Sequence, residues 1–205
     1  MSPVLDSLRE RFTAYRTTAE RALAQVDDGA FFAPLPGLDP LAVLVKHLAG
    51  NYRSRWTDFL TSDGNKPWRD RDGEFEIRDG DTRDALMAAW AEGWRLHDEA
   101  LAPLAAPDLT REVTIRGERH TVIAALHRAL AHTAYHVGQI VLLAKHAAGE
   151  GWQTLSIPRG GSAAYEVRVR AAAAASGEAN AQGLPPEASG ATASSGRRPR
   201  RGSGP

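Results

Sequence analysis

The chain has 205 residues, 42% of them hydrophobic, no cysteine, and 25 basic against 25 acidic residues. That is enough apolar material for one substantial core, while the lack of cysteine excludes disulfides, thiolate metal ligands and a cysteine nucleophile, leaving histidine and carboxylates as the strong ligands. No apolar run reaches the roughly 18 residues of a membrane span, and net neutrality gives no electrostatic case for nucleic acid binding across the body.

The N-terminal MSPVLDSLRERF mixes acids with arginines along an amphipathic pattern, unlike a secretion signal, so the cytoplasm is the expected compartment. Leu5, Leu8, Phe12, Tyr15, Ala19, Ala22 and Val26 recur at steps of three or four and predict a first helix from Pro3 to Val26, stopped by Asp27-Asp28-Gly29. A second is predicted from Asp39, as cap, with Pro40 in the first helical position, to about Leu60. The charged, turn-rich NKPWRDRDGEFEIRDG reads as a long crossover loop. A third helix follows over Thr82 to Leu101, with Leu86, Trp90, Trp94 and Leu101 on one face. Alternation around Arg116-Gly117-Glu118 suggests a short hairpin, and a fourth helix spans Thr121 to Ala148, stopped by Gly149 and Gly151. WQTLSIPRGGS then reads as an ordered loop.

After about Arg170 the chain turns to Ala, Gly, Ser, Pro and Arg, too poor in apolar area to offset ordering entropy, with Ala-rich helix allowed only through 171–175. The expected organisation is an all-α four-helix bundle over 1–170, with the long crossover between the second and third helices and the hairpin before the fourth, and a disordered tail over 171–205. The tail carries four arginines against two glutamates, a charge run most simply read as a solvated end.

His132 and His136 stand four residues apart on the fourth helix, which turns once in about 3.6 residues, so both imidazoles point the same way with roughly 5–6 Å between Cβ atoms. On a helical wheel they border the apolar stripe beside Ala125 and Ala129, and His47 borders the stripe of the second helix. Three such histidines could converge at a cleft mouth and hold a divalent metal with open positions, the arrangement of catalytic zinc. The same pattern also suits histidines that merely hydrogen-bond at the edge of a core. Thr133, Ala134 and Tyr135 stand between the pair, so the glutamate of an HExxH protease is missing. His97, beside the tryptophan face, reads as packed; His127 as outward; His146 as a cation in the last turn.

The strings KHLAGNYRSRW, GEFE, HTAYHVGQIVLLAKH and SIPRGGS, over about residues 1–165, resemble the DinB superfamily of metal-dependent four-helix bundles, which includes YfiT-like hydrolases and thiol transferases. The resemblance implies zinc or nickel held by His47, His132 and His136, and a low-molecular-weight thiol as cosubstrate. The expected function is a metal-dependent enzyme that activates a substrate thiol or water for transfer or hydrolysis. The alternative is a non-catalytic, metal-stabilised helical scaffold. Asn51, one turn after His47, and Gln139, just after His136, are candidates for orienting a histidine or substrate, and Arg159 for receiving an anionic group. The expected partner is a small molecule, with no nucleic acid and no membrane, and the chain as a homodimer.

Overall fold

The computed structural model describes residues 2–182, with side chains through residue 175. The chain divides into two compact units, Met1–Leu155 and Ser156–Pro205. In the first, helices α1 (Pro3–Leu23), α2 (Asp28–Phe32), α3 (Leu41–Trp56), α4 (Arg83–Leu101) and α5 (Val122–Ala148) are joined by loops and one two-stranded antiparallel sheet, β1 (Glu112–Ile115) and β2 (Glu118–Thr121). The second holds α6 (Ser162–Gln182). Among the described residues no helix is long and apolar enough to cross a membrane.

Local chemistry accounts for the boundaries. Pro3 opens α1, where its missing N–H costs nothing, and Leu5, Leu8, Phe12, Ala19, Ala22 and Leu23 form its buried stripe. α1 closes at Leu23, earlier than the expected Val26, because Asp27 starts a new element: its carboxylate accepts the Ala30 N–H at 2.8 Å and caps α2, which seats Phe31 in the core. α2 is absent from the sequence reading, since five residues are too few to show a period. α3 begins at Leu41 with Pro40 as its cap, so Asp39 makes no capping bond, and it ends at Trp56 rather than Leu60. Asp58, with φ 48°, turns the chain away just beyond it. The hydroxyls of Thr82 and Thr121 cap α4 and α5, and Gly149 ends α5 with a positive φ.

α3 packs along α4, α1 along α5, and α3 also meets α5. Phe12, Tyr52, Trp56, Trp94 and the buried His97 form an aromatic cluster between the helices, so His97 is packed as expected. Within it the Tyr52 hydroxyl lies 2.7 Å from Thr133 Oγ1, which itself donates to the Ala129 carbonyl at 2.8 Å. That leaves the tyrosine as donor, and the bond pins α3 against α5 one residue away from His132.

The crossover over residues 57–82 is ordered. Lys66 is buried and donates to the carbonyls of Ser54 and Asp63. Asp63 accepts the backbone N–H groups of Asn65, Arg116 and Gly117, which together hold its carboxyl below the usual range despite the opposing effect of burial. The hairpin turn, with positive φ at both Arg116 and Gly117, is thereby tied to the crossover. The remainder folds back on α3, where Lys46 pairs with Asp81 at 2.6 Å.

The alanine-rich start of the tail, 171–175, continues α6 as helix as its propensity allows, and the helix runs on to residue 182, beyond the 175 expected for it. The rest of the expected tail lies outside the described residues.

Candidate metal centre

α3 delivers His47 and α5 delivers His132 and His136 to one point. His47 Nε2 is 3.3 Å from His132 Nε2, and His136 Nε2 is 3.1 Å from His132 Nε2. One ring nitrogen from each of the three lies within 4.8 Å of the others. Nitrogen ligands about 2.0–2.1 Å from a tetrahedral ion stand roughly 3.3–3.4 Å apart, so the observed spacing fits a small ion. His47 and His136 are buried, at 4% and 9% exposure, and His132 is partly buried. The cluster therefore sits deeper than the cleft mouth suggested by the helical wheels.

The far side of two rings is fixed. Nδ1 of His47 lies 2.9 Å from Glu74 Oε2, and Nδ1 of His136 lies 2.7 Å from Gln139 Oε1. A carboxylate and an amide oxygen can only accept, so both Nδ1 atoms carry a proton, and each ring in its neutral form presents its Nε2 lone pair to the centre. Burial, reinforced by the neighbouring histidines and by Arg69 and Arg55, pushes His132 down to about 3. Burial and His47 push His136 down as well, so both rings are neutral at physiological pH. His132 Nε2 stands between the other two, able to donate to one of them as its Nε2–H tautomer or to present a third lone pair as its Nδ1–H tautomer, and the three histidines together could hold a metal ion.

Glu74 is the residue that sequence reasoning missed. It lies in a single helical turn, Asp72–Phe75, inside the crossover, where the sequence shows only a charged loop. Burial pushes its carboxyl up, but hydrogen bonds and charge from Arg69 and His47 outweigh this and hold it below its ordinary value. Arg69 donates to both oxygens at 2.7 Å. The space for this carboxylate comes from Gly50 on α3, where a Cβ would stand 2.2 Å from Glu74 Oε1. Phe75, the next residue, covers the His47 ring at 4.7 Å between centroids. The available signal was the GEFE string together with a small residue one turn from His47, and neither has a helical period.

The three histidines open onto a cavity of about 290 Å³, with Asn51, Ala125 and Ala129 among its walls. The alanines are those that the wheel placed beside the histidines. Asn51 lines the cavity, and Gln139 sits behind His136. Arg159 is exposed and belongs to the second unit, whereas every residue of this site belongs to the first. His127 and His146 are exposed on α5, outside the cluster.

A sequence model for a family described as "Protein of unknown function (DUF1572)" matches residues 2–161. No curated protein and no solved structure matches the chain.

Proposed function

Because the chain belongs to the DUF1572 family, whose function is unknown, its activity has to be read from its site, and we propose that it is a metal-dependent enzyme acting on a small-molecule thiol or on water. The observation that carries this is the convergence of three Nε2 atoms with two of the opposite Nδ1 atoms committed to Glu74 and Gln139. Three imidazoles from two helices, without a fourth protein ligand among the described residues, are the donor set of a catalytic rather than a structural site. Imidazole suits zinc and nickel, the ions we assign. When bound, such an ion lowers the pKa of a thiol or a water and so supplies a nucleophile near neutral pH.

The chain's own residues do the rest. Glu74 orients His47 and raises its basicity; with both oxygens occupied by Arg69 it is a positioning residue rather than a free base. Gln139 does the same for His136. Asn51 on the cavity wall offers an amide to an incoming group, and Phe75 shields the His47 face from water. The long helices α1, α3, α4 and α5 are read as one four-helix bundle of the DinB superfamily. Their shared core and the placing of the ligands on facing helices support this. Within that superfamily, transfer of a low-molecular-weight thiol to an electrophile is the activity we assign first, and hydrolysis second.

The test is turnover of a panel of electrophiles with small thiols, and of simple esters and amides, by zinc- and nickel-loaded protein. The expected result is a rate that is lost on chelation and in His132→Ala. Metal-loaded protein that turns over nothing, and differs from the stripped form only in melting temperature, would favour a metal-stabilised scaffold.

A further inference from the structure

The cavity in front of the histidines is walled by five arginines drawn from four parts of the chain: Arg55 of α3, Arg69 and Arg71 of the crossover, Arg116 of the hairpin turn and Arg128 of α5. No aspartate or glutamate lines it. Arg69 is neutralised by Glu74, and Arg71 lies near Asp72 at 3.6 Å and over the Phe75 ring. Among the described residues, Arg55, Arg116 and Arg128 form no ion pair.

Arg55 is the most telling of these. It is 9% exposed, and its Nη1 is fully buried without a hydrogen-bond partner. A buried N–H without an acceptor is costly, and burial together with the repulsion of Arg128, Arg69 and Arg116 outweighs the attraction of Asp63 at this guanidinium. Arg55, Arg116 and Arg128 thus line the cavity as cationic groups without an acidic partner among the described residues. Guanidinium groups bind carboxylate and phosphate oxygens through paired N–H donors.

We propose that this cavity is an oxyanion subsite, and that the molecule whose reactive atom reaches the histidines carries a carboxylate or phosphate held by Arg55, Arg116 and Arg128. The inference rests on the metal-centre reading for the placing of the reactive atom, and adds the substrate class. The orientation follows from burial: Arg116 and Arg128 are exposed while His47 and His136 are buried, so an anionic end held by these two arginines leaves the other end of the molecule pointing inward. The site is a recess of small volume, which favours a small anion over a nucleic acid strand.

Calorimetric titration of zinc-loaded protein with 3-mercaptopropionate and with its neutral counterpart, 3-mercapto-1-propanol, tests this. The carboxylate is expected to bind at least about tenfold more tightly, and in Arg128→Gln and Arg55→Gln this preference is expected to shrink to about threefold or less while the alcohol binds as before. Arg128 is exposed, so its variant keeps the fold even if Arg55→Gln does not. Equal affinities in the unaltered protein, or a preference that survives in Arg128→Gln and in a folded Arg55→Gln, would overturn the proposal. A second arm titrates inorganic phosphate into zinc-free protein. Phosphate binding that weakens in the arginine variants supports the subsite even if zinc fails to bind, whereas zinc binding without any anion preference defeats the subsite alone. A duplex oligonucleotide that binds more tightly than the small anions and displaces them would also overturn it.

Discussion

Glu74 carries two demands on one carboxylate. It accepts from His47 and from both N–H groups of Arg69, with all three side chains at most 7% exposed. Glu74→Gln keeps the shape but leaves the Arg69 guanidinium without its counter-charge, and breaking a buried pair costs about 3–5 kcal/mol. The expected outcome is a lower urea midpoint and, in the protein that remains folded, zinc affinity weakened about 10- to 100-fold, measured against a chromophoric chelator. Undiminished zinc affinity would remove Glu74 from the site. His97 gives a separate handle on pH. Burial pulls it below its ordinary value of 6.5, and its Nε2 has no partner. The unfolded chain therefore takes up the proton first, so the stability His97 contributes is present above pH 6.5 and is lost as pH falls below that value toward the folded one. His132 and His136 shift in the same direction and add to the slope. In metal-free protein, thermal unfolding at stepped pH is expected to show stability declining from about pH 7 to about pH 5, and His97→Phe to flatten part of that decline. An unchanged slope would show that His97 titrates alike in both states. Of these residues the three histidines stood out as candidate ligands from their helical spacing together with the family resemblance. Glu74 was not, because a carboxylate inside a charged loop is buried by what folds over it rather than by any pattern of its own.

At the scale of elements, the crossover matters as much as the helices. It carries Arg69, Glu74 and Phe75 to the site and is fastened to α3 by Lys66, to α3's far end by Lys46 and Asp81, and to the hairpin by Asp63. At Gly50 the crossover lies against α3 with no room for a side chain. Gly50→Ala would set a methyl 2.2 Å from Glu74 Oε1, so the carboxylate must move. Overpacking of this kind costs about 1–3 kcal/mol, offset in part by alanine's better helix propensity. The expected outcome is a modest loss of stability with a clear loss of zinc affinity, and a variant with stability reduced but affinity intact would show that Glu74 can shift without disturbing His47. The four long helices and the hairpin were readable because their apolar spacing and turn residues agree with one another. α2 and the helical turn over Asp72–Phe75 escaped because a single turn has no period to detect. The ends of α1 and α3 were misjudged because apolar residues beyond each helix continue into the core from a turn.

For the molecule as a whole, net charge is a poor guide to local field. The chain is neutral, yet tertiary structure gathers five arginines around one cavity from positions as far apart as 55 and 128. The three histidines come from α3 and α5, so an ion held by them would bind the folded state and not the unfolded one. At a free concentration of about 100 times its dissociation constant such an ion adds about 2.7 kcal/mol, which for a domain of this size raises the melting temperature by several degrees. Chelation is expected to reverse that rise, and to do so without effect in His136→Ala, whose metal-bound and stripped forms should melt together. The most direct test of the central claim is metal binding by untagged, chelator-stripped protein, read as stoichiometry and affinity for zinc and nickel in the native chain and in His47→Ala, His132→Ala and His136→Ala. The account expects one ion per chain at sub-micromolar affinity, with each substitution weakening it by more than the roughly 10- to 100-fold that loss of an outer partner costs. Absence of binding at micromolar metal, or binding that all three variants retain, would contradict it.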